Sequence, residues 1–173
     1  TTLTARAAWA NDPRADNPGA LTAAEATATP SIGAPNNVNR NAGKQVRQGQ
    51  FSLGLDDERG MWQSEVRVWL LTRALENPLA APAPAPNPPN EGLWVGIDRI
   101  GTGLRASTTR RLGVHRVTGG VDLQSSRDDR VNRRHRTGTP FGPTLLDQRE
   151  TVRETGLFGQ VTLPHGAWEL RGG

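Results

Sequence analysis

The chain has 173 residues, with 21 basic and 17 acidic side chains, a formal charge of +4 and a mean hydropathy of −0.60. It contains no Cys, which excludes a disulfide framework or a Cys-ligated metal site. No apolar run is long enough for a transmembrane helix, but a membrane strand needs only about ten residues with alternate ones apolar, so a strand-crossed membrane stays open.

Residues 1–10 alternate, with Leu3, Ala5, Ala7 and Trp9 against Thr2, Thr4 and Arg6. Period two over that length predicts a strand with one apolar face. Residues 11–46 are polar and carry the turn formers Asp12-Pro13, Asn17-Pro18-Gly19 and Pro35-Asn36-Asn37, which predicts a long connection. Within it, Thr22-Ala23-Ala24-Glu25 has the form of a capping box and predicts a short helix. Residues 47–56 alternate again, with Gly49, Phe51, Leu53 and Leu55 opposite Gln48, Gln50, Ser52 and Gly54. A tight turn at Asp57-Glu58-Arg59-Gly60 leads to a strand over 62–73. There Trp62, Val66, Val68 and Leu70 oppose Gln63, Glu65, Arg67 and Arg73, while Trp69 falls on the polar side. Residues 74–93, with repeated Pro from Pro82 to Pro89, predict a second long connection, because Pro cannot donate to a ladder.

A weaker strand is expected over 94–109, with Val95 and Ile97 out of phase, which suggests a bulge. A turn near Arg111-Leu112-Gly113 precedes a strand over 115–126, where Val117, Gly119, Val121 and Leu123 oppose Arg116, Thr118, Asp122 and Gln124. Residues 127–148 are Arg-rich and polar, which predicts a third long connection. A strand over 149–163, a turn at Pro164-His165-Gly166 and a further strand from Ala167 complete the chain.

The expected architecture is therefore all-β: about seven antiparallel strands in a meander, forming an arc of a transmembrane barrel. Its connections run long, short, long, short. That order sorts long loops to one side and short turns to the other, as extracellular loops and periplasmic turns are sorted in outer-membrane barrels. Trp9, Trp62, Trp94 and Trp168 are expected near strand ends, where aromatic girdles meet the two interfaces. Gln48, Gln50, Glu65, Arg67, Trp69, Arg105, Asp122 and Gln124 fall on the polar faces and are the expected lumen-lining residues. For Trp69 two readings are open: contact with a plug or ligand path, or a register shift that turns it to lipid.

Several stretches resemble TonB-dependent outer-membrane receptors. They are Asp16-Asn17-Pro18-Gly19-Ala20-Leu21-Thr22; Gly119-Gly120-Val121-Asp122-Leu123-Gln124 followed by Arg127-Asp128-Asp129-Arg130; Asp147-Gln148-Arg149-Glu150 followed by Gly156-Leu157-Phe158-Gly159-Gln160; and Trp168-Glu169-Leu170-Arg171-Gly172-Gly173. The resemblance implies a Gram-negative outer-membrane location and a barrel of about 22 strands around a plug. It also implies energy-coupled uptake of a scarce ligand, such as a ferric siderophore, cobalamin or a sugar. The chain begins without Met and ends just after a strand start, so residues 1–173 are expected to be a partial barrel without its plug domain. The implied partners are outer-membrane lipid, the remaining strands and plug, TonB through the plug region, and the small transported ligand.

Other chemistry finds less support. Arg127, Arg130, Arg133, Arg134 and Arg136 form an extracellular basic loop in this reading, either an anion-binding surface or a solvated one. Nucleic acid is not expected, because no aromatic platform interleaves these residues. Asp128-Asp129 and Asp56-Asp57-Glu58 lack calcium-loop spacing, and His115, His135 and His165 are too scattered for zinc. No catalytic constellation stands out, and neither metal nor cofactor is expected. The alternatives are an unplugged porin, or a soluble extracellular β-sandwich with an Arg-rich anion-binding surface. In isolation an arc with two open edges and an exposed apolar face is expected to aggregate.

Overall fold

The computed structural model describes residues 1–81 and 88–173. Seven strands form one antiparallel sheet in chain order: β1 (Thr2–Asp16), β2 (Gly43–Arg59), β3 (Trp62–Leu79), β4 (Glu91–Leu112), β5 (His115–Arg136), β6 (Thr139–His165) and β7 (Trp168–Gly172). The all-β meander expected from the alternation is thus observed. The sheet is open, with β1 and β7 each paired on one side only.

Each short turn has two residues. Gly60-Met61, Gly113-Val114 and Gly166-Ala167 place a positive-φ Gly first, the Gly-X arrangement that suits the right-handed twist of a hairpin. They sit where the sequence expects tight turns, within a residue or two. On the opposite side, residues 17–42 and 80–90 join β1 to β2 and β3 to β4. The first of these holds α1 (Ala23–Ala28) and α2 (Pro35–Asn39). The expected capping box is present: Glu25 N–H donates to the Thr22 hydroxyl, and Thr22 N–H donates to the Glu25 carboxylate at 2.8 Å. Most of the Pro run lies outside the described residues.

Residues 127–148 are not a loop. They are the outer halves of β5 and β6, joined at Thr137-Gly138, where both residues have positive φ as a type I′ turn requires. The five arginines of the expected basic loop, Arg127, Arg130, Arg133, Arg134 and Arg136, accordingly stand on β5. Alternation vanished here because both faces of the hairpin are polar, so period two left no trace in hydropathy. The expected bulge at Val95 and Ile97 is also absent, since β3 and β4 stay in register from Leu79–Leu93 to Trp62–Arg110. Those two side chains lie on the otherwise polar face, where Val95 is buried. Bulges occur instead between Asp12 and Ala15 and around Arg133.

The register gathers apolar side chains from every strand onto one face. One row runs Ala5, Leu53, Val68, Leu104 and Leu123; the next runs Leu3, Leu55, Val66, Ala106, Val121 and Leu157. This face has no second layer. Leu157 is 85% exposed and Trp168 77%, and among the described residues the buried apolar side chains are Ala42, Pro78 and Val95. The backbone ladders hold the sheet, while its hydrophobic face is left bare.

Candidate functional site

The opposite face is charged at the same level. Between the two apolar rows lies the row Gly54, Arg67, Arg105, Asp122 and Gly156, whose side chains alternate to the other side. Arg67 and Arg105 are directly opposite one another, an unfavourable pair unless acids flank it. Acids do. Arg105 grips Asp122 with two bonds, Nε–Oδ1 at 2.6 Å and Nη2–Oδ2 at 2.7 Å. Arg67 donates to Glu65 at 2.5 Å and to Asp56 at 3.2 Å. Six rows toward the long connections (105 − 99), Arg99 makes the same bidentate contact with Asp128, at 2.7 and 2.5 Å.

Small residues let the large side chains lie flat. Arg67 stretches over Gly54, Trp69 over Gly103, and Phe158 over Gly120; a Cβ on any of these glycines would run into the covering group. The Arg105 guanidinium also stands 5.8 Å from the Phe158 ring. No register shift occurs around Trp69, so its indole belongs to the polar face. Together these groups enclose a hollow of about 680 Å³ lined by Ser52, Glu65, Arg67, Trp69, Arg105, Asp122, Gln124 and Glu154, among others.

Six of the eight expected lining residues therefore meet at one place: Glu65, Arg67, Trp69, Arg105, Asp122 and Gln124. Gln48 and Gln50 share the face but not the hollow. Gln50 borders a second depression beside Arg6 and Ala8, and Gln48 pairs with Arg73 nearer the long connections. Ser52 and Glu154 complete the hollow; both point to the polar face by alternation along their strands, and that they converge depended on register.

The girdle residues are placed unevenly. Trp9 sits mid-strand in β1, beside Gly49, and is 70% exposed. Trp62 lies under the Arg110 guanidinium at 5.2 Å, and Trp168 pairs with His165, both next to short turns. Trp94 does not share the level of Trp9. It stands six residues beyond Ile100 (100 − 94), folded over Gly96, outside the apolar band.

At the long-connection end, residues 17–42 are tied to the strand tips. Arg40 Nε donates to the Glu91 carbonyl at 2.5 Å, and Asn41 Nδ2 to the Thr137 carbonyl at 3.1 Å. The Glu91 carboxylate is almost enclosed and takes Arg136 at 2.7 Å and Arg134 at 3.2 Å. Those bonds, Arg136 foremost, hold its carboxyl below the usual range. His135 is fully buried between them; its Nε2–H donates to the Leu79 carbonyl at 2.9 Å, and its Nδ1 accepts Gly138 N–H at 3.0 Å. Burial holds its protonation below the ordinary value, opposed by the Leu79 bond. Arg134 and Arg136 are thus occupied by Glu91 on the neighbouring β4, and Arg127 by Asp129 on its own strand.

Among the described residues no cluster of His, Cys, Asp and Glu has the form of a metal site. No helix among them is long and apolar enough to cross a membrane. The chemistry on offer is charge, hydrogen bonding and aromatic surface. No protein-family model matches the chain, and no curated protein matches it.

Proposed function

We propose that this sheet is an arc of an outer-membrane β-barrel of the TonB-dependent receptor type, serving energy-coupled uptake of a scarce ligand in a Gram-negative bacterium. The observation that carries the reading is the slope of the apolar band. On β1 the band runs from Leu3 to Trp9, centred on Arg6, which pairs with Ser52. On β6 it runs from Leu157 to Leu163, centred on Gln160, whose row passes through Thr118, Thr109 and Gln63 to Glu58. The centre thus moves six residues along β2 (58 − 52) across five strand spacings, little of it between β1 and β4, where Leu104 maps through Val68 to Leu53, and most of it from β4 to β6. On average that is roughly 20 Å along the strands over roughly 24 Å sideways, a slope of about 40°. Barrel strands tilt by about 35–45° from the membrane normal, so a level slab of lipid crosses their ladder at this angle.

The height of the band agrees. Charged residues bound the apolar face at Arg47 and Asp57 on β2, and at Asp98 and Arg110 on β4. Those intervals are ten and twelve residues (57 − 47 and 110 − 98). They span about 34–41 Å of strand, or about 26–31 Å after the tilt, close to the roughly 25 Å apolar belt of such barrels. At mid-depth the other face carries Arg67, Arg105 and Asp122, which in lipid would be costly but in a wet or plugged lumen are at home. The open edges of β1 and β7 fit an arc that closes with further strands. The hollow around Arg67, Trp69 and Arg105 is then lumen wall. A plug domain, TonB acting through it, and the transported ligand are the partners that this reading supplies.

The test is membrane fractionation of the natural gene product in a Gram-negative host. A detergent-requiring outer-membrane protein whose gel mobility changes on boiling is the expected result. Recovery as a monodisperse protein without detergent refutes the reading.

A further inference from the structure

We propose that Arg127 and Arg153 form a phosphate clamp on the lipid side of the sheet, binding the phosphorylated headgroup of lipid A in the outer leaflet. The inference rests on the membrane-barrel reading above and adds a specific lipid contact to it. On the apolar face, the first charged residues met beyond the band toward the long connections are Arg47, Glu76, Asp98, Arg127 and Arg153 on β2 to β6. Only β5 and β6 put two cations side by side there. Arg127 pairs with Thr151 and Arg153 with Ser125, so the two arginines are diagonal neighbours, about 7–8 Å apart at the backbone.

Adjacent like charges call for an anion, and the protein supplies little. Asp129 takes Arg127 at 3.3 Å but is shared with Arg149 at 2.6 Å. Arg153 makes no ion pair among the described residues. The other acids of this face, Asp98 and Asp147, lie on rows farther out, opposite Asp129 and Val131. Below the pair is a hollow of about 370 Å³, bordered by Thr102, Leu104, Leu123, Ser125, Arg153 and Thr155. Its chemistry is layered: the Arg153 guanidinium and hydroxyls at the rim, with Arg127 diagonal to Arg153 just outside it, and two leucines toward the membrane interior. Lipid A has the matching order, with phosphates on a sugar directly above acyl chains. Arg offers a phosphate its planar fork, and the leucines receive the first part of a chain. A soluble anion or a nucleic acid has nothing to place on Leu104 and Leu123.

The experiment uses the protein extracted from outer membranes into mild detergent, with bound lipid read by native mass spectrometry. The probes are diphosphoryl lipid A, its dephosphorylated form and phosphatidylglycerol. The wild type should retain diphosphoryl lipid A in preference to both others. R127Q/R153Q should lose roughly thirtyfold in apparent affinity, at about fivefold for each arginine. R153K, which keeps the charge without the fork, should fall between them. A heat-modifiable barrel that binds lipid A equally before and after the double substitution, or is indifferent to its phosphates, overturns the clamp and leaves the barrel reading intact. Preference for phosphatidylglycerol overturns lipid A as the ligand. A chain found only in the soluble fraction overturns both.

Discussion

Leu104→Arg probes the middle of the apolar face, which the proposed barrel turns to lipid. Leu104 stands between Val68 and Leu123 in the apolar row, and its strand carries the band from Ile100 to Ala106. Arg at the bilayer midplane of a barrel costs about 2–4 kcal/mol, falling to about 0–1 kcal/mol near an interface. Leu104→Arg should therefore lower the unfolding free energy by about 3 kcal/mol, and Ile100→Arg, at the rim, by under about 1 kcal/mol. Gln124→Arg is the control; it lies at nearly the same depth on the charged face beside Asp122 and Glu154 and should change stability by no more than about 0.5 kcal/mol. The assay is reversible urea or guanidinium unfolding of the protein in lipid vesicles, followed by Trp emission. Equal costs at Leu104 and Ile100, or a larger cost at Gln124, would refute the depth argument and with it the assignment of the apolar face to lipid.

Two further perturbations address the charged face and the strand tips. Gly103→Ala puts a Cβ where the Trp69 indole lies, so the ring must move; destabilisation by about 1–3 kcal/mol and a shift in Trp emission are expected, with little further loss when Trp69→Ala is added. Additive effects in that double variant would rule out the contact. The cap formed by residues 17–42 should loosen in acid. His135 is neutral in its bonded site and its protonation is held down by burial, so the unfolded tip takes up the proton first. Its stabilising contribution is full above the ordinary value of about 6.5 and is lost as pH falls below that toward the depressed folded value. Glu91, also held low, adds a second loss as pH drops below its ordinary value of about 4.3. Proteolysis or hydrogen exchange within residues 17–42 should rise between pH 7.5 and pH 5, and His135→Gln should abolish the first step. Unchanged protection across that range would show that His135 does not hold the cap.

Where one face of a strand is apolar and the other polar, the sequence alone was enough: the runs around Ala5, Leu53, Val68, Val121 and Leu157 read as strands, and the Gly-X turns bounded them. The capping box at Thr22 was equally legible, since both partners are local. Legibility failed where both faces are polar. The outer halves of β5 and β6 carry Arg, Asp and Thr on each side, so nothing in their hydropathy distinguishes them from a loop; only the positive φ at Thr137 and Gly138 closes them into a hairpin. Polar-phase residues also said which face but not which neighbours. Glu65, Arg67, Trp69, Arg105, Asp122 and Gln124 meet because register stacks three strands, β3 to β5, whereas Gln48 and Gln50, of the same phase, stand elsewhere. The alternation of side chains is a property of each strand and is written in its own residues. The slope of the apolar band, the pairing of Arg105 with Asp122 and the closeness of Arg127 to Arg153 are properties of register, which arises only when strands are laid against one another.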